Sequence, residues 1–256
     1  MAQNTDKDIL CGRNAVLELL RSGREIHKLW LKSGSGRNND IRRVAAERGI
    51  PVQNADEAAL SRLTGAARHQ GVAAWTAALE YADVDDILAA AAAGGEEAFI
   101  VALDEVEDPQ NLGAILRSAE GMGVHGVLIP KRRSAGLTAA VARAAAGAME
   151  YVPVARVGNM ARTLALLKEQ GLWITGAEQD GAPIAGADLT GPRALVLGGE
   201  DKGLGHTVRA ACDEIVSLPL LGRVSSYNVS AAAAIFMYET RRQRMAAAKR
   251  DGSPLI

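Results

Sequence analysis

The stretch FIVALDEVEDPQNLGAILRSAEGMGVHGVLIP, residues 99–130, decides the fold class of the C-terminal part of the chain. Its two ends, FIVALD and GVLIP, are short and almost continuously apolar, which is typical of strands that are buried on both faces. The segment NLGAILRSAEGMG between them has the apolar spacing of a helix. A strand, a helix and a second strand in this order form a βαβ unit. Because similar units follow, we predict an α/β fold with a doubly wound parallel sheet.

The first 78 residues predict a separate, small α/β module. Short strands alternate with amphipathic helices in ILCGRNAVLELLRSG, HKLWLKSG, DIRRVAAERGI, PVQNA, DEAALSRLTG and HQGVAAWTAAL. The acidic, alanine-rich stretch that follows is interpreted as a linker that contains at most a short helix. The predicted domains are therefore residues 1–78, a linker at 79–97 and a second domain at 98–256.

Composition excludes several classes of protein. Among 256 residues, no apolar run reaches the roughly 18 that a membrane helix requires. The N-terminal residues carry acids and lack the apolar core of a signal peptide. The two cysteines, Cys11 and Cys212, lie far apart and have no neighbouring histidines, which excludes a zinc cluster or a disulfide framework. We expect a cytoplasmic protein that needs neither a membrane nor a metal.

Charge is distributed unevenly along the chain. Residues 1–78 hold 12 Lys and Arg against 8 Asp and Glu, whereas residues 79–97 hold six acids and no base. A basic N-terminal module would attract a phosphate backbone. An ordinary solvated surface explains the same excess equally well, so charge alone does not identify a partner.

The glycines of GMGVHG at 121–126 match the G-x-G-x-x-G pattern of dinucleotide-binding folds. That function requires a strand before the glycines and a helix after them, so that phosphate meets the helix N-terminus. The order here is the reverse, which favours a helix C-cap and a tight turn. An oxidoreductase that uses a nicotinamide cofactor is therefore disfavoured.

Three glycine-bearing segments place polar side chains where strands end or helices begin. They are NLGAILRSAEGMGVHG (111–126), LVLGGEDKGLG (195–205) and LPLLGRVSSYNVSAAAAIFMYE (218–239). Strand ends are where α/β proteins bind ligands. The three segments resemble, in order, the three motifs of the SpoU/TrmH family of RNA 2′-O-ribose methyltransferases. Gly12-Arg13-Asn14-Ala15-Val16 and His69-Gln70-Gly71-Val72 resemble the RNA-binding domain of its RlmB-type subgroup, so that the resemblance covers nearly the whole chain.

The resemblance implies a C-terminal deep trefoil knot, S-adenosylmethionine as cofactor, and a homodimer in which both subunits contribute to the active site. It implies an RNA substrate, most specifically a guanosine of large-subunit ribosomal RNA. It also assigns residues by position: catalytic Asn111, Arg117, Glu200, Ser226 and Asn228; cofactor-binding Gly198, Leu218 and Tyr227; and RNA-contacting Arg132, Arg133 and Arg143. Leu218 stands where the family usually has Ile, and Tyr227 where it usually has Leu. Ser225 is instead expected to be the N-cap of the last helix.

Two roles for Arg117 remain open. It acts either as the base that takes the proton of the ribose 2′-hydroxyl or as a cation that stabilises the developing alkoxide. Since a guanidinium normally stays protonated at physiological pH, the cationic role is favoured slightly. Glu200 is expected to orient Arg117 or to bind the substrate ribose.

Alternatives to methylation of large-subunit rRNA are the same reaction on tRNA or at another rRNA site, and a non-catalytic protein for RNA binding or ribosome assembly. The complete set of Asn111, Arg117, Glu200 and Asn228 argues against the non-catalytic protein. The N-terminal module argues against a minimal tRNA enzyme.

Overall fold

The computed structural model describes residues 8–34, 36–65, 67–77, 79–199 and 202–251. The chain divides into two units. The first unit comprises the chain up to Glu80 together with Gly136–Tyr151, and the second comprises Tyr81–Ala135 and the chain from Val152 onward.

The described elements alternate between strands and helices along most of the chain. In order they are β1 (Asp8–Cys11), α1 (Arg13–Arg21), β2 (Ile26–Lys32), α2 (Asn39–Glu47), β3 (Val52–Ala55), α3 (Glu57–Leu63), β4 (Val72–Thr76), α4 (Val84–Ala93), β5 (Phe99–Asp104), α5 (Pro109–Gly121), β6 (Gly126–Pro130), α6 (Ala139–Ala145), β7 (Val154–Val157), α7 (Met160–Glu169), β8 (Trp173–Pro183), β9 (Arg193–Gly198), α8 (His206–Ala210), β10 (Glu214–Ser217) and α9 (Val229–Asp251). None of the described helices is long and apolar enough to span a membrane.

The first unit is built on a four-stranded sheet with the strand order β1-β4-β2-β3. Strands β2 and β3 are parallel, and β4 runs antiparallel to both of its neighbours. On one face, Leu29 and Leu31 pack with residues of α1 and α2. On the other face, Leu60 of α3 packs with Cys11 and Ala73. The small α/β module predicted at the N-terminus is therefore present.

The second unit is built on a six-stranded sheet with the order β10-β8-β9-β5-β6-β7, and every pair in it is parallel. All six residues of the central strand β5 are buried, as its continuous apolar sequence predicts. One face packs against α4, α7 and α8, through Ile87, Leu164 and Val208. Helix α9 packs on α5 and β9. The predicted α/β fold with a parallel sheet is confirmed, whereas the trefoil knot stays a prediction.

Two segments are grouped differently from the predicted domain boundaries. The stretch 79–97, predicted as a linker, contains α4 and belongs to the second unit from Tyr81 on. Ile87 is buried there, and its side chain fills the space where a Cβ on Gly126 would stand. Residues 136–151, predicted within the second domain, group with the first unit, where Ser22 Oγ donates to Glu150 Oε2 at 3.0 Å. Burial raises the pKa of this glutamate.

The glycines at 121–126 form a turn between a helix and a strand, as predicted. Helix α5 ends at Gly121, and β6 begins at Gly126. Gly123 has a φ of +63°, which favours glycine after a helix end. The amide of Val124 donates to the carbonyl of Ala119 at 2.9 Å and satisfies the last turn of the helix.

Candidate functional site

A cavity of about 380 Å³ lies at the carboxyl end of the second sheet. The ends of β8 and β9, the loop before α9 and the first turns of α9 form its walls. Its described lining residues are Ala177, Glu178, Gln179, Leu197, Gly198, Gly199, Lys202, Gly203, Leu218, Leu220, Ser225, Ser226, Tyr227, Val229, Ala232 and Phe236. All three predicted cofactor-binding residues, and Ser226 of the catalytic set, therefore line one cavity.

Gly198 is required by the packing of its own loop. A Cβ at this position would stand 2.0 Å from the backbone carbonyl carbon of Gly203. The Gly203 backbone occupies the space that a side chain at Gly198 would need. Substitution of Gly198 would therefore displace the loop that forms one wall of the cavity.

Glu178 and Asp104, which are not among the predicted site residues, bind the backbone at the end of this loop. Glu178 Oε1 accepts a hydrogen bond from the amide of Leu204. Asp104 Oδ2 accepts one from the amide of Gly205 at 2.8 Å, and burial raises the pKa of Asp104. Asp104 is the last residue of the apolar sequence FIVALD, and Glu178 is the last residue of LWITGAE. That position is the signal by which both could have been found.

Asn228 links the start of α9 to α5. Its Oδ1 accepts hydrogen bonds from the amides of Ser230, at 3.0 Å, and Ala231, at 3.4 Å, so that Asn228 is the N-cap of the helix. Its Nδ2 donates to Oδ1 of the buried Asn111 at 2.9 Å. The predicted cap, Ser225, is instead exposed in the cavity wall. The structure thus brings two of the predicted catalytic residues into direct contact.

A second cavity of about 330 Å³ adjoins the first and shares Gly199, Lys202, Gly203 and Val229 with it. Its other described lining residues are Glu105, Val106, Glu107, Asp108 and Asn111. Three of the lining residues, Glu105, Glu107 and Asp108, are acidic, and Lys202 is the described cation.

Backbone strain occurs beside the second cavity. Glu105 and Arg133 have φ values of +61° and +55°, in the left-handed region that costs a residue with a side chain about 1 kcal/mol or more. The Arg133 guanidinium donates to Glu105 Oε1 at 2.9 Å. This ion pair joins the end of β5 to the segment after β6, and it raises the pKa of Arg133.

Arg117 lies apart from both cavities. It is exposed on α5 and makes no hydrogen bond or ion pair with any residue that the structure describes. Six positions along a helix correspond to one and two-thirds turns, so Asn111 and Arg117 point in different directions. Glu200, which is expected to orient Arg117, lies outside the described residues.

The remaining predicted residues have distinct surroundings. Tyr227 donates its hydroxyl to the carbonyl of Pro219 at 3.0 Å and closes the loop before α9. Leu218 and Ser226 both line the first cavity. Arg132 is exposed. Arg143 lies in the first unit against the thiol of Cys11, whose pKa is raised by burial.

The described residues contain no group of three or more His, Cys, Asp or Glu side chains that could hold a metal ion. Independently of this, two adjoining cavities at the carboxyl end of a parallel sheet are a typical place for an organic ligand.

The sequence matches two protein families in the positions of the two modules. Residues 98–238 match the SpoU rRNA Methylase family, and residues 9–82 match the family of RNA 2′-O ribose methyltransferase substrate-binding domains. The chain is 44% identical over 241 residues to YacO of Bacillus subtilis (strain 168), whose name places it in the TrmH family of tRNA/rRNA methyltransferases. That alignment covers 93% of this chain and 96% of YacO.

Solved structures show the same fold. The SpoU methyltransferase AviRb from Streptomyces viridochromogenes, in complex with its cofactor AdoMet, superposes with a TM-score of 0.77 at 23% identity, over 93% of this chain and 90% of AviRb. An rRNA methyltransferase from Sinorhizobium meliloti superposes with a TM-score of 0.75 at 25% identity, over 91% of this chain and 86% of that protein.

The fold, the cavities and the sequence matches define an RNA-modifying enzyme of the methyltransferase class. The chain belongs to the SpoU family of RNA 2′-O-ribose methyltransferases. S-adenosylmethionine is the cofactor of this family.

Proposed function

We propose that the protein transfers a methyl group from S-adenosylmethionine to a ribose 2′-hydroxyl of a guanosine in large-subunit rRNA, as enzymes of the RlmB-type subgroup do. One observation carries this proposal. Gly198, Leu218, Ser226 and Tyr227 come from two motifs that are separated along the chain, yet they line a single cavity at the carboxyl end of the sheet.

The first cavity fits the proposed cofactor in size and chemistry. Its volume of about 380 Å³ is within the range of pockets that enclose a ligand of this size. Leu197, Val229 and Phe236 provide an apolar wall for an adenine ring, while Ser226 and Gln179 provide polar groups at the rim. When bound, S-adenosylmethionine supplies a methyl group on a positively charged sulfur, which is ready to be transferred to a nucleophile.

The second cavity is the proposed place of the substrate ribose, because it adjoins the first and is lined by Asn111. The hydrogen bond from Asn228 fixes the side chain of Asn111, so that its orientation is set before RNA binds. Lys202, which lines both cavities, would attract the phosphate that adjoins the ribose. Acidic Glu105 and Glu107 would exclude additional phosphates from the cavity.

Arg117 is the proposed electrostatic assistant of the reaction. A guanidinium stays protonated at physiological pH, so its role is to stabilise the developing alkoxide or a neighbouring phosphate rather than to take the proton. Its side chain is exposed and unpaired among described residues, which leaves it available to RNA. Glu200 is proposed to orient Arg117 or to bind the substrate ribose.

We further propose that the enzyme acts as a homodimer through the exposed apolar face of α9 and the loop before it. Large apolar side chains are exposed there: Leu221, Val224, Ile235, Tyr238 and Met245. Exposed apolar side chains that cluster along one segment are typical of a protein interface. Because α5 packs on α9, an interface on α9 would carry the exposed Arg117 toward the active site of the partner subunit.

The dimer is tested by analytical ultracentrifugation of two matched variants. Ile235→Glu places a charge in the proposed interface, and Leu166→Glu does so on α7, where Leu166 is also exposed. We expect Ile235→Glu to sediment as a monomer and to lose methyl transfer, while Leu166→Glu remains a dimer. A wild-type protein that sediments as a monomer at micromolar concentration would contradict this part of the proposal.

The first unit supports rRNA as the substrate class. Its residues 9–82 match the substrate-binding domains of RNA 2′-O ribose methyltransferases, and its sequence up to residue 78 is basic. A second domain that holds RNA lets the enzyme select a site within a large folded RNA. A cytoplasmic location is part of the same proposal.

The reaction is tested with purified protein, labelled S-adenosylmethionine and unmodified RNA. Label is expected in large-subunit rRNA and not in tRNA, and the modified linkage is expected to resist alkaline hydrolysis because its 2′-hydroxyl is blocked. Label on tRNA alone would shift the proposal to the tRNA substrate. Binding of rRNA without any methyl transfer would favour the non-catalytic RNA-binding protein.

A further inference from the structure

A groove of about 570 Å³ lies in the first unit. Its floor is Trp30 on β2, and its sides are the edge strand β3 and helix α3. The described lining residues are Trp30, Gln53, Asn54, Ala55, Asp56, Ala59, Leu60, Arg62 and Leu63. The groove thus combines one aromatic ring, two amides and one cation.

Several polar groups around the groove are already engaged within the protein. Asp56 Oδ1 accepts from the amide of Ala59 at 2.6 Å and caps α3. The amide oxygen of Asn54 accepts from Arg42 at 2.7 Å. Neither side chain is therefore available to a ligand without loss of an existing bond.

The neighbouring acid Glu57 is also neutralised. Its carboxylate pairs with Lys32 at 2.9 Å, and this contact is the main cause that lowers the pKa of Glu57. Its other oxygen lies 3.2 Å from His69 Nε2. The charge of Glu57 is thus balanced by Lys32, while the Asp56 carboxylate is held against the first turn of α3.

Two side chains at the groove have no such engagement. Arg62 and Gln53 are exposed, and neither makes a hydrogen bond or ion pair with another described residue. Gln53 is the register partner of Trp30 on the adjacent parallel strand, so both side chains leave the sheet on the same face. An amide with a free donor and a free acceptor therefore stands beside the indole ring.

The indole of Trp30 is half-buried and carries a cation on its surface. Lys28 Nζ lies 5.3 Å from the ring centroid, and Lys28 leaves the strand on the same face because it precedes Trp30 by two residues. A flexible lysine side chain is easily displaced from an aromatic face. Its ammonium would then remain next to the phosphate of whatever stacks on the ring.

We propose that this groove binds one unstacked nucleobase of a single-stranded segment of the RNA substrate. The base stacks on Trp30, Gln53 bonds with the polar edge of the base, and Arg62 and Lys28 contact the flanking phosphates. An aromatic platform between cations is the combination that binds single-stranded RNA, because every base has a π face and every linkage a negative charge. The inference rests on the proposed function, since it assigns the RNA contact to a particular groove of the first unit.

Binding is measured with the full-length protein and a fluorescein-labelled single-stranded RNA of about 12 nucleotides, within the range of known site sizes. Trp30→Ala is expected to weaken the affinity about 10-fold, as loss of one stacked base does. Trp30→Phe keeps a stacking surface and is expected to retain most of the affinity. Arg62→Ala should weaken binding and reduce its salt dependence. The matched control Arg43→Ala removes an exposed arginine of α2 that pairs with Glu47, and should bind as the wild type does.

Stacking itself is read from tryptophan fluorescence. The chain has three tryptophans, so the double variant Trp75→Phe/Trp173→Phe leaves Trp30 as the single reporter. RNA is expected to quench its emission, and pairing the same RNA with its complement should abolish the quenching because the bases are then hidden. This readout does not depend on whether Trp30→Ala folds.

Unchanged RNA affinity of a folded Trp30→Ala, or absence of quenching at saturating single-stranded RNA, would overturn the assignment of the groove. The proposed function fails by a different result, which is absence of methyl transfer by the wild-type protein. Quenching without methyl transfer would keep the groove and refute the enzyme. Methyl transfer without quenching would support the enzyme and refute RNA binding in the groove.

Discussion

Arg241 and Arg244 of α9 carry the same guanidinium group as Arg117 of α5. Their surroundings differ from those of Arg117. Arg241 donates to the carbonyls of Met122 and Gly123, both at 2.8 Å, and so holds the end of α5. Arg244 donates to the carbonyls of Glu97 and Ala98 and stacks on the ring of Phe99. Arg117 has no partner among the described residues.

This difference separates a structural cation from one that is available for a ligand. A guanidinium that is bound to several backbone carbonyls is already satisfied, and burial lowers the pKa of Arg244 to about 10. An exposed guanidinium contributes little to stability. The exposed guanidinium of Arg117 is instead available for binding or catalysis.

The largest expected effect is on catalysis. Arg117→Ala should lower kcat by about 100-fold or more, which is the usual cost of removing one group that stabilises developing charge. The melting temperature and the affinity for S-adenosylmethionine, measured by calorimetry, should stay near those of the wild type because Arg117 does not line the first cavity. Near-full activity of Arg117→Ala would remove the assigned role.

The second effect is on stability. Arg244→Ala should lower the free energy of unfolding by about 3 kcal/mol, because it leaves several partly buried carbonyl groups without a donor. Its control is Arg242→Ala, which removes an exposed arginine paired with Glu239 and should leave the denaturation curve almost unchanged. Equal stability of the two variants in urea titrations would show that the contrast between bound and exposed arginines is wrong.

The third effect separates the two tasks of Asn228. Asn228→Ala should cost about 1 kcal/mol of stability through loss of the N-cap, and it should also lower activity because its hydrogen bond to Asn111 is lost. Asn228→Ser keeps a capping oxygen but does not reach Asn111. We expect it to keep its stability, in thermal unfolding, and to lose activity as Asn228→Ala does. Full activity of the serine variant would make the contact with Asn111 dispensable.

The smallest effect concerns Asp104. The pKa of Asp104 in the folded protein lies above its unfolded value, so folding disfavours the charged carboxylate. The contribution of Asp104 to the free energy of unfolding therefore falls as the pH rises through the interval between the two pKa values. Asp104→Asn keeps an acceptor for the amide of Gly205 and should abolish this contribution to the pH dependence. Asp104→Ala should cost about 1 kcal/mol more than Asp104→Asn at neutral pH. Identical pH profiles of unfolding for the wild type and Asp104→Asn would exclude a raised pKa.

The order of strands and helices could largely be predicted from the sequence, since apolar runs such as FIVALD are short-range signals. The glycines at 121–126 were also interpretable, because the order of helix and strand around them is visible in the sequence. Grouping of residues 136–151 with the first unit was not predictable. It depends on tertiary contacts such as the one between Ser22 and Glu150, which lie 128 positions apart.

The geometry around the predicted site residues could not be predicted from the sequence. Motif positions indicated Asn111 and Asn228, yet the cap at Asn228 and its bond to Asn111 depend on how α9 approaches α5. The structural constraint on Gly198 was not predictable, because the neighbour that fills its Cβ position is the backbone of Gly203, five residues later. Glu178 and Asp104 are marked in the sequence by their place at the end of an apolar strand sequence, but their partners, the amides of Leu204 and Gly205, are set by the fold.

The central claim is that this chain methylates a ribose of rRNA and that Arg117 is required for the reaction. Mapping of 2′-O-methyl groups in total RNA from cells with the wild-type protein, with Arg117→Ala and without the protein tests it most directly. We predict that one guanosine of large-subunit rRNA carries a 2′-O-methyl group only in cells with the wild-type protein. Identical maps in the three strains, or a lost methyl group that lies in tRNA, would contradict it.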